Sequence, residues 1–479
     1  MNYSIIRYLI GWVLCIEAAF LLIPLGLCLG FGEPYAVDYI IAISVTAVPG
    51  ILLCLRKPKN TVFYAREGFV TTALSWIFLS LAGALPFFIS GCIPAFEDAL
   101  FEVISGFTTT GASILTDVEA LPKSLLFWRS FTHWIGGMGV LVFLLALLPM
   151  AGGQSILIMR AESPGPSVGK LVPRLQRTAV YLYGIYLVMT LVEVVFLLCG
   201  GMDLFSSFCI AFGTAGTGGF GVLNSSLGSY STYIQVVVTV FMFAFGVNFS
   251  FYFLLLMRKI RGAFSMEEVR TYFLIFAGAV GLVMLDLYWS GYGSIGYCLL
   301  HSAFQCSSIM TTTGFSSVDF DLWPSFAKTV LVTLMFIGAC AGSTGGGIKV
   351  SRIMMYFKNI GRELKRLIHP RTVTVLRMDG KPVEPGVAGA TNMWLLAYAA
   401  VFFISMLLVS LDNYDFTTGF TAVAATLNNI GPGLEVVGPT GNFAGFSLVS
   451  KLVLMFDMLA GRLEIFPMLL LLGPGTWRK

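Results

Sequence analysis

Four short stretches rich in threonine and glycine are the best candidates for chemistry in this chain. Thr108-Thr109-Thr110-Gly111 recurs verbatim as Thr311-Thr312-Thr313-Gly314. Thr217-Gly218-Gly219-Phe220-Gly221 and Asn429-Ile430-Gly431-Pro432-Gly433 follow the same plan. What they offer is oxygen: rows of backbone carbonyls, with threonine hydroxyls beside them, can replace the hydration shell of a monovalent cation. Such chemistry needs neither a nucleophile nor a general base. Glycine suits it because a carbonyl ladder requires positive φ, which strains other residues. One Thr-Gly pair is readily explained as the end of a packed helix; four in register, with a tetrapeptide repeated, favour an ion site. Its residues are Thr109, Thr110, Gly111, Thr217, Gly218, Gly219, Thr312, Thr313, Gly314, Asn429, Ile430 and Gly431.

Each stretch closes a short apolar or mixed segment, at 95–110, 204–217, 293–313 and 416–430. At about 1.5 Å per residue these reach only partway through a hydrocarbon core of ~30 Å. They read as re-entrant half-helices followed by a non-helical loop, with the negative ends of their dipoles toward an ion. Irregular backbone at membrane depth must be buried in protein or line a cavity. Long apolar runs flank them at 69–90, 126–149, 178–199, 233–257, 271–290, 327–348, 391–411 and 446–472, after two more at 9–29 and 37–55. The expected fold is an all-α polytopic membrane protein with ten transmembrane helices. With Gly111, Gly219, Gly314 and Gly431 equivalent, the intervals are 108, 95 and 117 residues, an internal fourfold repeat. The domains expected are a two-helix extension (1–60) and pore repeats at 61–160, 161–260, 261–370 and 371–479.

Composition agrees. Of the 479 residues, 57% are hydrophobic and 11% charged, against roughly 25% charged in soluble domains; mean hydropathy is +0.85. A soluble enzyme, a disordered chain and a nucleic-acid binder are excluded. Nothing at the N-terminus resembles a cleavable signal. The nine cysteines lie singly and read as packing residues. With the N-terminus in the cytoplasm, 24 of 29 Lys and Arg fall on the inner side, as the positive-inside rule requires. Fourteen of 25 acids then lie on the outer side, a bias that would concentrate cations there.

A second glycine-rich stretch, Gly342-Ser343-Thr344-Gly345-Gly346-Gly347, interrupts the run at 327–348. Glycine costs about 1 kcal/mol each in a helix interior, so the helix should break here. Close helix packing and a movable gate below the ion site are both open readings. It is not a phosphate-binding loop, because Ile348 occupies the lysine position, and the GxGxxG at Gly216–Gly221 lacks a βαβ context. Arg462 lies within a span, with Asp457 and Glu464 nearby as structural partners; the alternative is a barrier to cations in the pore. Glu17 and Glu193 are intramembrane acids without an evident partner, and His133, His301 and His369 are isolated.

The loops resemble degenerate copies of the potassium-channel filter Thr-Val-Gly-Tyr-Gly. The whole chain is similar to the Trk/Ktr/HKT superfamily of potassium transporters, closest to the bacterial Trk membrane subunit. The stretches that carry this resemblance are Ile104-Ser-Gly-Phe-Thr-Thr-Thr-Gly-Ala-Ser, Gly136-Gly-Met-Gly-Val, Arg160-Ala-Glu-Ser-Pro-Gly-Pro, Ala341-Gly-Ser-Thr-Gly-Gly-Gly-Ile-Lys, Leu364-Lys-Arg-Leu-Ile-His-Pro, Ala425-Thr-Leu-Asn-Asn-Ile-Gly-Pro-Gly-Leu and Gly461-Arg-Leu-Glu-Ile-Phe. The resemblance implies K⁺ selectivity with glycine at all four filter positions, and a gate formed by 342–347 with Arg462. It also implies a homodimer in the bacterial inner membrane and a cytosolic nucleotide-binding regulatory subunit of the TrkA type. Nucleotide is expected only on that partner, and the chain itself carries no covalent cofactor. The segment 349–381, with nine Lys and Arg, is a candidate docking face, although topogenic charge explains it equally. The rival readings are a proton- or sodium-coupled symporter, with Glu193 as its titratable residue, and an intramembrane transferase, which would need an acid or histidine cluster.

Overall fold

The computed structural model describes residues 1–58, 64–139, 175–371 and 375–477. The motif at 160–166, most of the inner segment at 150–178 and the end of the run at 126–149 lie outside the described residues. Two N-terminal helices, α1 (Tyr3–Phe20) and α2 (Leu22–Phe31), form one apolar stretch, against which α3 (Ala36–Cys54) returns. The order long helix, short helix, loop, second helix then occurs four times. The first unit is α4 (Ala65–Gly83) with α5 (Leu85–Ile89), then α6 (Phe96–Phe107) and α7 (Lys123–Met138). The second is α8 (Leu175–Cys199), α9 (Leu204–Gly216), α10 (Thr232–Phe245) and α11 (Phe249–Leu256), with α12 (Ile260–Phe264) trailing. The third is α13 (Glu267–Trp289), α14 (Ile295–Met310), α15 (Ser325–Ile337) and α16 (Val350–Ile368). A small hairpin follows, β1 (Arg377–Met378) and β2 (Lys381–Pro382), turning through Asp379 and Gly380, both at positive φ. The fourth unit is α17 (Pro385–Val409), α18 (Phe416–Leu427), α19 (Leu448–Arg462) and α20 (Phe466–Leu472), before α21 (Pro474–Trp477).

The short helices α6, α9, α14 and α18 have 12, 13, 16 and 12 residues, lengths of about 18–24 Å. Their starts are written locally. Asp203, Ser294 and Asp415 accept the amides of Ser206, Tyr297 and Thr418 as N-caps. Helix α6 instead has Glu97 and Asp98 in its first turn, where the dipole favours negative charge. The C-terminal halves of all four are buried. The long helices instead turn large apolar side chains outward, among them Leu191 and Val195 on α8, Leu274 on α13, and Phe403 and Leu407 on α17. A hydrocarbon solvent makes such faces stable.

Among the described residues, six stretches are long and apolar enough to cross a membrane: Tyr3–Phe31, Ala36–Cys54, Ala65–Ile89, Val180–Cys199, Glu267–Trp289 and Gly386–Asp412. These are the N-terminal pair and the first helix of each unit. The second helices differ from the ten unbroken runs expected. Helices α10 and α11 are bent by 90° at residues 246–248, where the Asn248 side chain caps α11. Helices α15 and α16 are separated by the glycine-rich stretch, and α19 and α20 by Glu464 and Ile465, both at positive φ. Helix α7 ends at Gly139, also at positive φ. Of these breaks, only the glycine-rich one between α15 and α16 was legible in the sequence.

Packing between units is cyclic. Helix α7 lies on α9, α10 on α14, α15 on α18, and α19 on α6. Each second helix therefore supports the short helix of the next unit, and the fourth supports the first. The chain is a helical, multi-pass membrane protein.

Candidate functional site

The four short helices end in the same way. Thr109, Thr217, Thr312 and Asn429 have φ of 56°, 55°, 60° and 56°. The next residue sends its amide back to the carbonyl five positions earlier: Thr110 to Ser105 (2.9 Å), Gly218 to Gly213 (2.8 Å), Thr313 to Ser308 (2.8 Å) and Ile430 to Ala425 (2.8 Å). This is a Schellman ending, whose left-handed position is ordinarily glycine. Three β-branched threonines there cost of order 1–3 kcal/mol each, strain that clusters at functional sites. Two residues on, Gly111, Gly219, Gly314 and Gly431 return to positive φ (78° to 96°), with a residue outside that region between. Alternating hands turn successive peptide groups to the same side, the requirement for a row of carbonyls.

The glycines also close a ring. A Cβ on Gly111 would overlap the Gly218 carbonyl, one on Gly219 that of Thr313, and one on Gly314 that of Ile430. On Gly431 it would stand 2.6 Å from the Thr110 oxygen. Loop 1 thus abuts loop 2, loop 2 abuts loop 3, loop 3 abuts loop 4, and loop 4 returns to loop 1. The structure brings all twelve candidate ion-site residues together. Beyond them lies a cavity of about 160 Å³ bounded by the four glycines with Ser113, Asn224, Ser226 and Asn442. Among the described residues no charged side chain lines it. Two acids of α6 are paired instead, Asp98 with Lys451 and Glu102 with Arg129.

The threonine hydroxyls brace the loops. Thr108 Oγ1 bonds to Ile104 O (2.6 Å) and Thr110 Oγ1 (2.8 Å), and Thr311 repeats this with Ser307 O and Thr313 Oγ1 (both 2.7 Å). Asn429 Nδ2 donates to Thr110 Oγ1 (2.9 Å), tying loop 4 to loop 1.

Against the side of this ring away from the cavity sits the glycine-rich stretch. The Gly346 amide donates to Thr312 Oγ1 (2.6 Å) and that of Gly347 to Asn428 O (3.1 Å). Lys349 Nζ folds back onto Gly345 O, and the buried Glu268 accepts the Ala341 amide (2.6 Å) and Asn248 Nδ2 (3.3 Å). Arg462 reaches Thr344 O with Nη1 (2.8 Å) and Gly136 O and Gly137 O with Nη2 (2.5 and 2.8 Å). It therefore joins the stretch to the end of α7. The acids near it in sequence are otherwise engaged, Asp457 with Ser405 Oγ (2.7 Å) and Glu464 with Arg352. Glu17 and Glu193 are buried; Glu193 faces the Thr214 side chain on α9. Among the described residues no group of three or more His, Cys, Asp or Glu could hold a metal ion.

Sequence reasoning missed two sets of supporting residues. One is Glu268 with Asn248. The other is Glu102, Arg129 and His133 behind loops 1 and 2. A carboxylate midway along a short apolar helix, with an arginine inside the next apolar run, was the available signal.

The fold and ring can be set against known proteins. Residues 35–474 match the TrkH family of cation transport proteins. The chain is 35% identical over 488 aligned residues to the Trk system potassium uptake protein TrkH of Escherichia coli K12, covering all of both chains. It is 31% identical over 489 to the Trk system potassium uptake protein TrkG of the same strain, again over all of both. The crystal structure of the potassium transporter TrkH from Vibrio parahaemolyticus superposes with a TM-score of 0.89 at 34% identity, covering 100% of each chain. By sequence and by fold, over its full length, this chain belongs to the TrkH family of cation transport proteins, which are transporters rather than enzymes.

Proposed function

We propose that the chain is the pore-forming subunit of a Trk-type potassium uptake system in a bacterial inner membrane, with both termini cytoplasmic. Four units of helix, pore helix, filter loop and second helix surround one pore, behind the N-terminal pair at 1–60; counting each second helix as one span gives ten. The observation that carries this reading is the closed ring of Gly111, Gly219, Gly314 and Gly431, each against the next loop's carbonyl. Potassium sheds its water at the carbonyls of Thr109–Gly111, Thr217–Gly219, Thr312–Gly314 and Asn429–Gly431. It then passes 342–347 and Arg462, driven by a membrane potential worth about 2.3 kcal/mol per charge per 100 mV. The relatives' description as parts of a Trk system supports further subunits. We place a cytosolic nucleotide-binding subunit of the TrkA type at the basic segment 349–381, and a second copy beside the first.

Uptake in a potassium-transport-deficient cell tests the reading. The wild-type chain restores growth at low potassium and takes up Rb⁺ far better than Na⁺, and Gly111→Ser admits Na⁺. Failure of both, in a chain that reaches the membrane, overturns it. Glu193, buried against α9 beside Thr214, gives proton-coupled symport a foothold. Uptake by Glu193→Gln that lost its pH dependence would favour that reading.

A further inference from the structure

Loop 2 is the loosest of the four by composition. Between Gly216 and Gly221 only Thr217 and Phe220 carry side chains, and each glycine adds conformational freedom that must be removed on folding. Its middle position is Gly218, where the other loops have Thr110, Thr313 and Ile430. The structure gives the reason: a Cβ on Gly218 would overlap the His133 imidazole. A side chain from α7 fills the space that the loop's own residue fills elsewhere.

His133 belongs to a larger brace. Its Nδ1 lies 2.7 Å from Gly106 O on α6, and its Nε2 accepts the Phe220 amide (3.3 Å). The tautomer protonated on Nδ1 satisfies both contacts. One turn earlier on α7, Arg129 donates Nε to Glu102 Oε1 (2.6 Å) and Nη1 to Gly221 O (3.1 Å). Its guanidinium lies over the Phe220 ring, 3.4 Å from the centroid. Glu102 in turn accepts Ser113 Oγ (2.9 and 3.1 Å) and the Ile114 amide (3.0 Å), just past filter loop 1. Both charges are buried, at 4% and 0% side-chain exposure. Among the described residues no other ion pair touches a filter loop. The junction of loops 2 and 3 uses neutral contacts, such as Leu227 N to Ser316 O (2.9 Å).

We propose that Glu102, Arg129 and His133 are positioning residues for ion selection, holding the carbonyl row of loop 2 at the span that suits the larger ion. A smaller cation is excluded only if the carbonyls cannot close in on it. By composition, loop 2 resists that closure least of the four. The brace adds stiffness by fixing the ring and amide of Phe220 and the Gly221 carbonyl, and by locking loop 2 to loop 1 through Glu102. A buried ion pair is weak evidence for stability, and selection by rigidity gives this one a use that stability does not. The inference rests on the filter reading above.

The test is Rb⁺ uptake with K⁺ and Na⁺ as competitors, in proteoliposomes containing monodisperse full-length protein. Arg129→Lys keeps the charge but cannot bridge Glu102 and Gly221 O together. Phe220→Leu removes the ring beneath the guanidinium without unpairing a charge. Both are expected to lower K⁺ over Na⁺ discrimination about tenfold, with Rb⁺ flux retained. Lys451→Met breaks an ion pair that touches no filter loop and should leave the ratio unchanged. Unchanged discrimination in Arg129→Lys and Phe220→Leu overturns the proposal, as does an equal loss in Lys451→Met. If Arg129→Lys does not fold, Phe220→Leu decides alone. Gly219→Ala separates the two levels: if it too leaves discrimination unchanged, the filter reading fails; if it alone changes discrimination, only the brace fails.

Discussion

Replacing Arg462 by methionine separates two roles open to the residue beside the proposed filter. In the structure its guanidinium bonds to Thr344 O on the glycine-rich stretch and to Gly136 O and Gly137 O on α7. A hydrogen bond from a charged donor contributes about 1.5–3 kcal/mol net. Losing the Thr344 bond should therefore shift the docked-to-undocked ratio of the stretch by roughly ten- to 150-fold, at 1.4 kcal/mol per decade. The remaining bonds from Gly346, Gly347 and Ala341 keep the docked form populated, so flux rises without the stretch being lost. The assay is potential-driven Rb⁺ flux into proteoliposomes, after size-exclusion chromatography has shown equal folding. Arg462→Met should raise basal flux at least tenfold. Arg462→Lys keeps the positive charge but cannot span both sets of carbonyls, so it should raise flux in the same direction by less. A purely electrostatic barrier instead predicts wild-type flux for lysine. That result refutes the clamp, and a folded methionine variant within twofold of wild type refutes both roles.

Three further outcomes follow from the geometry. Shortening 343–347 should raise basal Rb⁺ flux, and unchanged flux would count against a gate there. Gly219→Ala places a Cβ against the Thr313 carbonyl in a left-handed conformation, a cost of at least about 1–2 kcal/mol; it should lower K⁺ over Na⁺ discrimination, whereas Gly278→Ala, with nothing within 4 Å, should leave transport and discrimination intact. Asp415 caps α18, and the Thr418 hydroxyl, followed by the helix's first amides, holds its carboxyl below the usual 3.8. Asp415→Ala should thus lower thermal stability by about 1 kcal/mol. Because the folded-state value is depressed, that difference should be constant from pH 8 to 5 and vanish as pH falls through the folded value; a difference that persisted in acid would assign the effect to packing.

The residues that could be read in advance are those whose role is set by local chemistry. Four glycines followed a threonine or asparagine by two positions at intervals near one hundred, and all four returned to positive φ. Caps such as Asp203 and Asp415 sit within three residues of the amides they serve, so their helices could be bounded from the sequence. Breaks in the second helices were harder. Glycines announced the one at 338–349, but Ile465 is β-branched and adopts φ 68°, a conformation its own sequence argues against and its surroundings impose. Hydropathy saw one run at 446–472 because it measures desolvation, which a broken helix buried in protein satisfies as well as a straight one.

By itself, then, the sequence determined a membrane protein, the four loops and the chemistry their oxygens allow, because composition and spacing act over a few residues. The tertiary structure decided which loop meets which, and what holds them. Arg462 meets Gly136 across 326 residues, Asn429 meets Thr110 across 319, and Arg129 meets Gly221 across 92. These contacts satisfy buried polar groups whose partners are fixed only once the ring closes, since nothing local distinguishes one backbone carbonyl from another until water has been removed from around it.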